Sequence, residues 1–172
     1  NSPSTLEWLA GDYENVVGSA YDDAIFANQF ANSLQGGSGD DTIYGYSGAD
    51  TLEGGAGDDA LYGGDGADTF DWDSTKRAGA DHFYGGAGDD VYVLGTDQAD
   101  VIIENTNEGN DTLWVAQSYS VALDSSIEII RSYAVTPITL TGNALSNYLF
   151  AGDGADTLLG AAGRDYLSDD AT

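Results

Sequence analysis

The chain has 172 residues, with 30 acidic and 4 basic side chains and a formal charge of −26. Such a charge opposes compaction by self-repulsion and excludes nucleic acid, whose phosphates need Lys and Arg, and anionic membrane surfaces as partners. The lack of Cys excludes disulfides and thiolate metal sites, and no apolar run approaches the roughly 18 residues of a membrane span.

Hydrophobic residues nevertheless make up 41% of the chain and aromatic residues 11%. That is too apolar for a disordered acidic tail. A chain with both properties needs cations.

Residues 1–17 read as an N-terminal capping or connecting segment. From Gly18 a nine-residue beat runs without a gap to Asp71, as 18–26, 27–35, 36–44, 45–53, 54–62 and 63–71. Its fullest copies are Gly-Gly-Ser-Gly-Asp-Asp-Thr-Ile-Tyr at 36–44 and Gly-Gly-Ala-Gly-Asp-Asp-Ala-Leu-Tyr at 54–62. Position eight is always apolar: Ile25, Leu34, Ile43, Leu52, Leu61, Phe70. Position six always offers a side-chain oxygen: Asp23, Asn32, Asp41, Asp50, Asp59, Asp68. Chance does not keep both columns in register for 54 residues.

A second period overlies the first. Position five alternates as Asp22, Ala31, Asp40, Ala49, Asp58, Ala67, and position nine as Phe26, Gln35, Tyr44, Glu53, Tyr62, Asp71. The true repeat is therefore 18 residues, a flattened coil with two turns and two short strands. Odd nonapeptides stack on one side and carry an aromatic ladder of Phe26, Tyr44 and Tyr62. Even ones stack on the other with a polar ladder of Gln35, Glu53 and Asp71. Position eight points inward from both sides.

The beat breaks at 72–84, where Lys76 and Arg77 replace a glycine pair, and resumes at 85–93. The break reads either as a loop bulging from the coil or as the start of a second stack, so the first block is 18–93. Residues 94–141 keep strand character without the strict beat, in runs such as Val101–Ile103, Thr112–Val115 and Ile138–Leu140. They read as an irregular β-solenoid connecting segment. The nonapeptide returns at 142–150, 151–159 and 160–168, giving a second, short block over 142–172. No segment sustains a 3.6-residue apolar period, so the expected class is all-β.

The spacing suits a hard cation. Calcium takes 6–8 oxygen ligands from carboxylates and backbone carbonyls. Glycines at positions one, two and four let the turn tighten and aim carbonyls inward, because glycine accepts positive φ. The Asp at position six adds a carboxylate at the turn's exit, and two turns stacked one coil apart complete a shell. The expected metal-binding residues of the first block are Asp23, Asn32, Gly36, Gly37, Gly39, Asp41, Gly45, Gly48, Asp50, Gly54, Gly55, Gly57, Asp59, Gly63, Gly64, Gly66 and Asp68. Past the break they are Asp81, Gly85, Gly86, Gly88 and Asp90, then Gly152, Gly154, Asp156, Gly160, Gly163 and Asp165. Predicted pairs include Asp23 with Asp41, Asp41 with Asp59, and Asp50 with Asp68. Stacked pairs suggest roughly six to nine ions. The position-five residues Asp22, Asp40, Asp58 and Asp89 read as solvated.

No catalytic constellation emerges. The single His, His82, lies at an outward position, and no G-x-S-x-G context occurs. Paired carboxylates recur because the repeat recurs, so they do not mark a glycosidase acid and base. The ladder Phe26, Tyr44, Tyr62 offers an alternative role in stacking on a carbohydrate.

Residues 36–71, 85–93 and 151–168 resemble the RTX (repeats-in-toxin) nonapeptides of bacterial exoproteins. The stretches 13–23, 104–115 and 127–142 resemble segments that connect such blocks. The resemblance implies a parallel β-roll, a right-handed β-solenoid that folds on binding several Ca2+ ions outside the cell after type I secretion. The expected function is a non-catalytic calcium-binding module of a larger secreted exoprotein or adhesin, with neighbouring domains of that parent as partners. The alternative is a carbohydrate- or partner-binding accessory module of a secreted polysaccharide-active enzyme.

Overall fold

The computed structural model describes residues 4–6, 14–70, 79–94, 100–106, 108–121 and 126–169. Among these residues there are 18 short strands and no helix. Every strand pairing is parallel. Successive strands alternate between two sides, as the 18-residue period requires. One side is a six-stranded sheet from Ser4–Leu6 to Val101–Ile103; the other is a nine-stranded sheet from Glu14–Val17 to Tyr166–Ser168. A three-stranded sheet of Tyr119–Ser120, Thr139–Thr141 and Thr157–Leu159 takes over the alternation in the C-terminal half. The result is a parallel β-solenoid.

Period-two alternation sorts each strand's side chains. In Asp23–Phe26 the burial pattern puts Asp23 and Ile25 inside, with Ala24 and Phe26 less buried. Position eight then forms two apolar columns. The first runs Ile25, Ile43, Leu61, Phe83, Ile102. The second runs Val16, Leu34, Leu52, Phe70, Tyr92, Leu113, Ile130, Leu149, Leu167. From Leu34 through Leu149 every member of the second column is fully buried. Leu167 is 45% exposed, because its strand ends the sheet and has no coil above it among the described residues.

One stack runs on past the break. Leu61 pairs with Phe83 on one side and Phe70 with Tyr92 on the other, so both sides continue in register across a coil of 22 residues. Residues 71–78, including Asp71, Lys76 and Arg77, lie outside the described set, as do most of residues 1–17. The lengthened coil brings in Tyr84, which the nonapeptide count left out of the aromatic ladder. Ring centroids run 5.2 Å from Phe26 to Tyr44, 4.6 Å to Tyr62 and 4.3 Å to Tyr84, with rings within 10° of parallel. Offset face contacts of this kind favour aromatic pairs. On the opposite side the Gln35 amide donates to Glu53 at 3.0 Å.

Candidate metal centre

The position-six carboxylates stand at the turn edge of the roll, each 1–3% exposed from Asp23 to Asp90. From Asp41 on, each uses one oxygen to hold the coil before it. Asp41 Oδ1 accepts the Asp23 N–H at 2.7 Å, Asp50 Oδ1 the Asn32 N–H at 2.7 Å, and Asp59 Oδ1 the Asp41 N–H at 2.8 Å. The pattern continues through Asp68, Asp81, Asp90 and Asp111. The stacked pairs expected from the spacing are thus joined by main-chain hydrogen bonds.

The second oxygen is the informative one. Oδ2 of Asp41, Asp50, Asp68 and Asp90 is buried and has no hydrogen-bond partner. A buried carboxylate oxygen left alone is costly. Each of these oxygens lies over the first glycine of its own turn, and those of Asp41, Asp50 and Asp68 lie next to a main-chain carbonyl of the following coil. A Cβ on Gly45 would stand 2.5 Å from Asp50 Oδ2 and 2.7 Å from the Gly63 carbonyl oxygen. A Cβ on Gly63 would meet Asp68 Oδ2 and the Gly85 carbonyl, and one on Gly36 would meet Asp41 Oδ2 and the Gly54 carbonyl. A Cβ on Gly54 would meet Asp59 Oδ2. Converging buried oxygens over a clear floor fit a hard, oxygen-seeking cation such as calcium. Asp41, Asp50, Asp59, Asp68 and Asp90, with the carbonyls of Gly54, Gly63 and Gly85, would hold it.

The three glycines of a turn have separate tasks, which corrects the expectation that all serve positive φ. Position one does not adopt positive φ in any described turn; it is glycine because a side chain would fill the cradle. Positions two and four do adopt it, at Gly37, Gly39, Gly48, Gly55, Gly57, Gly64, Gly66, Gly86, Gly88, Gly154 and Gly163. Two residues break the rule at position two: Tyr46 at φ 74° and Ala161 at φ 67°.

Burial sets the charge chemistry of the cradles. It pushes the carboxyls of Asp50 and Asp90 up to about 7 and those of Asp41, Asp68 and Asp111 up to about 6. Desolvation dominates, the backbone N–H donors oppose it, and neighbouring carboxylates add to it. A cation in the cradle reverses this balance, because it favours the charged form.

The remaining expected ligands divide by what occupies position one. Gly160 keeps a clear floor below Asp165, whose Oδ1 accepts the Asn147 N–H at 3.0 Å. Ala27 stands at position one before Asn32, and Ala151 before Asp156, so a methyl group occupies the place that glycine clears elsewhere. Asp156 still has a buried, unpartnered Oδ2, and its Oδ1 accepts the Ile138 N–H at 2.8 Å. Gly152 stacks under the Ala134 carbonyl. Asn147 donates its amide to the Ile127 carbonyl, and Asn143 donates to the same oxygen. There amide groups supply the cross-links that a cation would supply elsewhere. Asp23 spends Oδ2 on the Ser19 N–H at 2.6 Å. Position-five residues Asp40 and Asp58 are exposed; Asp40 accepts the Asp58 N–H at 2.9 Å. His82 is exposed.

The aromatic ladder is placed differently from what sugar stacking needs. Tyr44 and Tyr62 each have ring neighbours on both sides, so their faces are spent on one another. The geometry favours a packing role.

A parallel β-solenoid with columns of buried aspartate at its turns is a repeat roll whose donor set suits a hard cation. The RTX calcium-binding nonapeptide repeat matches in four copies, over residues 17–52, 44–71, 77–102 and 139–168, which together span more than half of the chain. The chain belongs to that family. The solution structure of the AlgE6R3 subunit from the Azotobacter vinelandii mannuronan C5-epimerase is similar to it, at 27% identity and a TM-score of 0.37. That similarity covers 63% of this chain and 55% of the other, so the chain matches about half the length of that structure. No curated protein matches.

Proposed function

We propose that this chain is a calcium-dependent folding module: a roll that remains unfolded where calcium is scarce and folds on meeting it outside the cell. The unpartnered Oδ2 atoms of Asp41, Asp50, Asp68 and Asp90 carry this reading. Without a cation the folded state holds buried carboxylates stacked in columns, and the unfolded chain does not. A ligand that binds only the folded form stabilises it in proportion to the logarithm of its concentration above Kd. Extracellular calcium modules bind with Kd on the order of 10⁻⁴–10⁻³ M, so millimolar calcium would fold the chain and a calcium-poor cytosol would not.

The family and the charge of −26 support a non-catalytic segment of a larger type I secreted exoprotein or adhesin, packed against neighbouring domains of that parent. Circular dichroism during a calcium titration from chelator, with magnesium as control, tests the proposal. A cooperative, calcium-specific rise in β signal is expected. A full β spectrum in chelator at low salt would refute calcium-dependent folding.

A further inference from the structure

The regular cradles share one formula, a position-six carboxylate and a main-chain carbonyl from the next coil. The turn at Gly85 departs from it. A Cβ on Gly85 would collide with Asp90 Oδ2, Glu104 Oε1 and the Tyr92 hydroxyl together, and its three nearest atoms include no main-chain carbonyl. Asp90 and Asp111 precede adjacent strands of the nine-stranded sheet, Val91–Leu94 and Thr112–Val115. Glu104 follows Val101–Ile103 on the opposite sheet. Carboxylate oxygens of Asp90, Glu104 and Asp111 all lie within 4.8 Å of one another. Opposite ligands of a calcium shell lie about 4.6–5.2 Å apart, twice the usual calcium–oxygen distance.

A cluster of acids alone marks nothing, but these are not surface acids. Glu104 is 7% exposed, Asp90 1% and Asp111 1%. Glu104 Oε2 and Asp90 Oδ2 are both buried without a partner. The Tyr92 hydroxyl donates to the other oxygen, Glu104 Oε1, and so holds the carboxylate over Gly85. The nearby charges acting on Glu104 are those of Asp111, Asp90 and Glu108, all negative. Natural proteins bury such groups when paired or bound to metal.

We infer that Asp90, Glu104 and Asp111 form a separate divalent-cation site at the end of the first repeat block, built from three side-chain carboxylates and selective for calcium over magnesium. Selectivity follows from the donor set, since magnesium keeps several waters and resists an all-protein cage. Three carboxylates give this site more ligand charge than the regular cradles, and ligand charge raises calcium affinity. It is therefore the first site filled as calcium rises. Glu104 lies outside any nonapeptide, so the repeat does not account for it. The inference rests on the calcium reading of the roll only through Asp90.

Calorimetric calcium titration of the full chain tests it, comparing wild type with Glu104→Gln and Asp50→Asn. Glu104→Gln should lose one ion and weaken the tightest phase by about tenfold or more. Asp50→Asn should lose binding in the weaker phase and keep the tight one. Should Glu104→Gln fail to reach the wild-type β spectrum in saturating calcium, Asp111→Asn takes its place. It keeps the acceptor for the Asp90 N–H and should weaken the tight phase; an unchanged tight phase in the folded variant would overturn the site. If the weaker phase is present and folded Glu104→Gln matches wild type, this site alone is overturned. If wild type takes up no calcium, both this site and the calcium reading of the roll fall.

Discussion

Asp50 Oδ1 accepts the main-chain N–H of Asn32, 18 residues earlier, at 2.7 Å, while its Oδ2 is buried beside Gly45 with no partner. One carboxylate thus performs two separable tasks, holding a coil and offering an oxygen to an ion. Asp50→Asn keeps the acceptor and removes the anionic oxygen. It should raise the calcium concentration at half-folding and lower the number of ions bound. Asp50→Ala loses the acceptor too and leaves the Asn32 N–H buried and unpaired, a further cost of about 1–3 kcal/mol. Calcium-titrated circular dichroism of wild type and the two variants separates the tasks; an Asp50→Asn midpoint identical to that of wild type would show that Oδ2 does not serve an ion.

Acid should partly replace calcium. The carboxyls of Asp50 and Asp90 are held near 7, and those of Asp41, Asp68 and Asp111 near 6, against about 3.9 in the unfolded chain. The folded state therefore binds these protons more tightly than the unfolded state. Each group costs stability above its folded pKa, and that cost is relieved as pH falls towards its unfolded pKa. In chelator, β signal should rise between about pH 7 and pH 5. In calcium the trend reverses, because protons compete for the same oxygens and the calcium midpoint should climb over that interval. Circular dichroism across pH, with and without calcium, checks both signs.

Ala161 adopts φ 67° at a position where other turns place glycine. An L-residue in this region costs roughly 1–2 kcal/mol. Ala161→Gly should relieve most of that strain, less the chain entropy that glycine adds to the unfolded state. Denaturant unfolding in saturating calcium should show a gain in stability with the calcium stoichiometry unchanged.

Tyr62 has ring partners on both faces, Tyr44 and Tyr84. Tyr62→Ala should destabilise the calcium-loaded roll through two lost ring contacts, each about 0.5–1.5 kcal/mol beyond burial, and leave the number of ions bound as in wild type. A fall in stoichiometry on calorimetric titration would tie the ladder to the metal sites instead of to packing alone.

Much of this was legible in the residues themselves. Two columns kept over six nonapeptides imply a repeat, and the alternation at positions five and nine implies two sides. That reasoning placed Ile25 against Ile43 and Leu34 against Leu52, as the sheets do. What escaped lay where the count failed. Tyr84 joins the ladder because one coil is lengthened to 22 residues, and a strict nine-residue ruler cannot follow it. Glu104 belongs to no repeat, and its approach to Asp90 follows from chain geometry between the sheets. The task of the first glycine was misread because its floor is defined by an aspartate five residues on and a carbonyl one coil away. Asn147 could have signalled an amide cross-link, since it replaces an acid with a donor at position six.

The two columns of hydrogen bonds, Asp23 to Asp81 on one side and Asn32 to Asp111 on the other, share a polarity. At every rung the earlier coil gives a main-chain proton and the later coil gives the carboxylate that receives it. A cut through the stack therefore exposes unlike surfaces, an anionic receiving face and a protic giving face. A coil can therefore be stacked on another in one orientation only, as bricks with a stud and a socket are; turned over, it would set carboxylate against carboxylate or N–H against N–H.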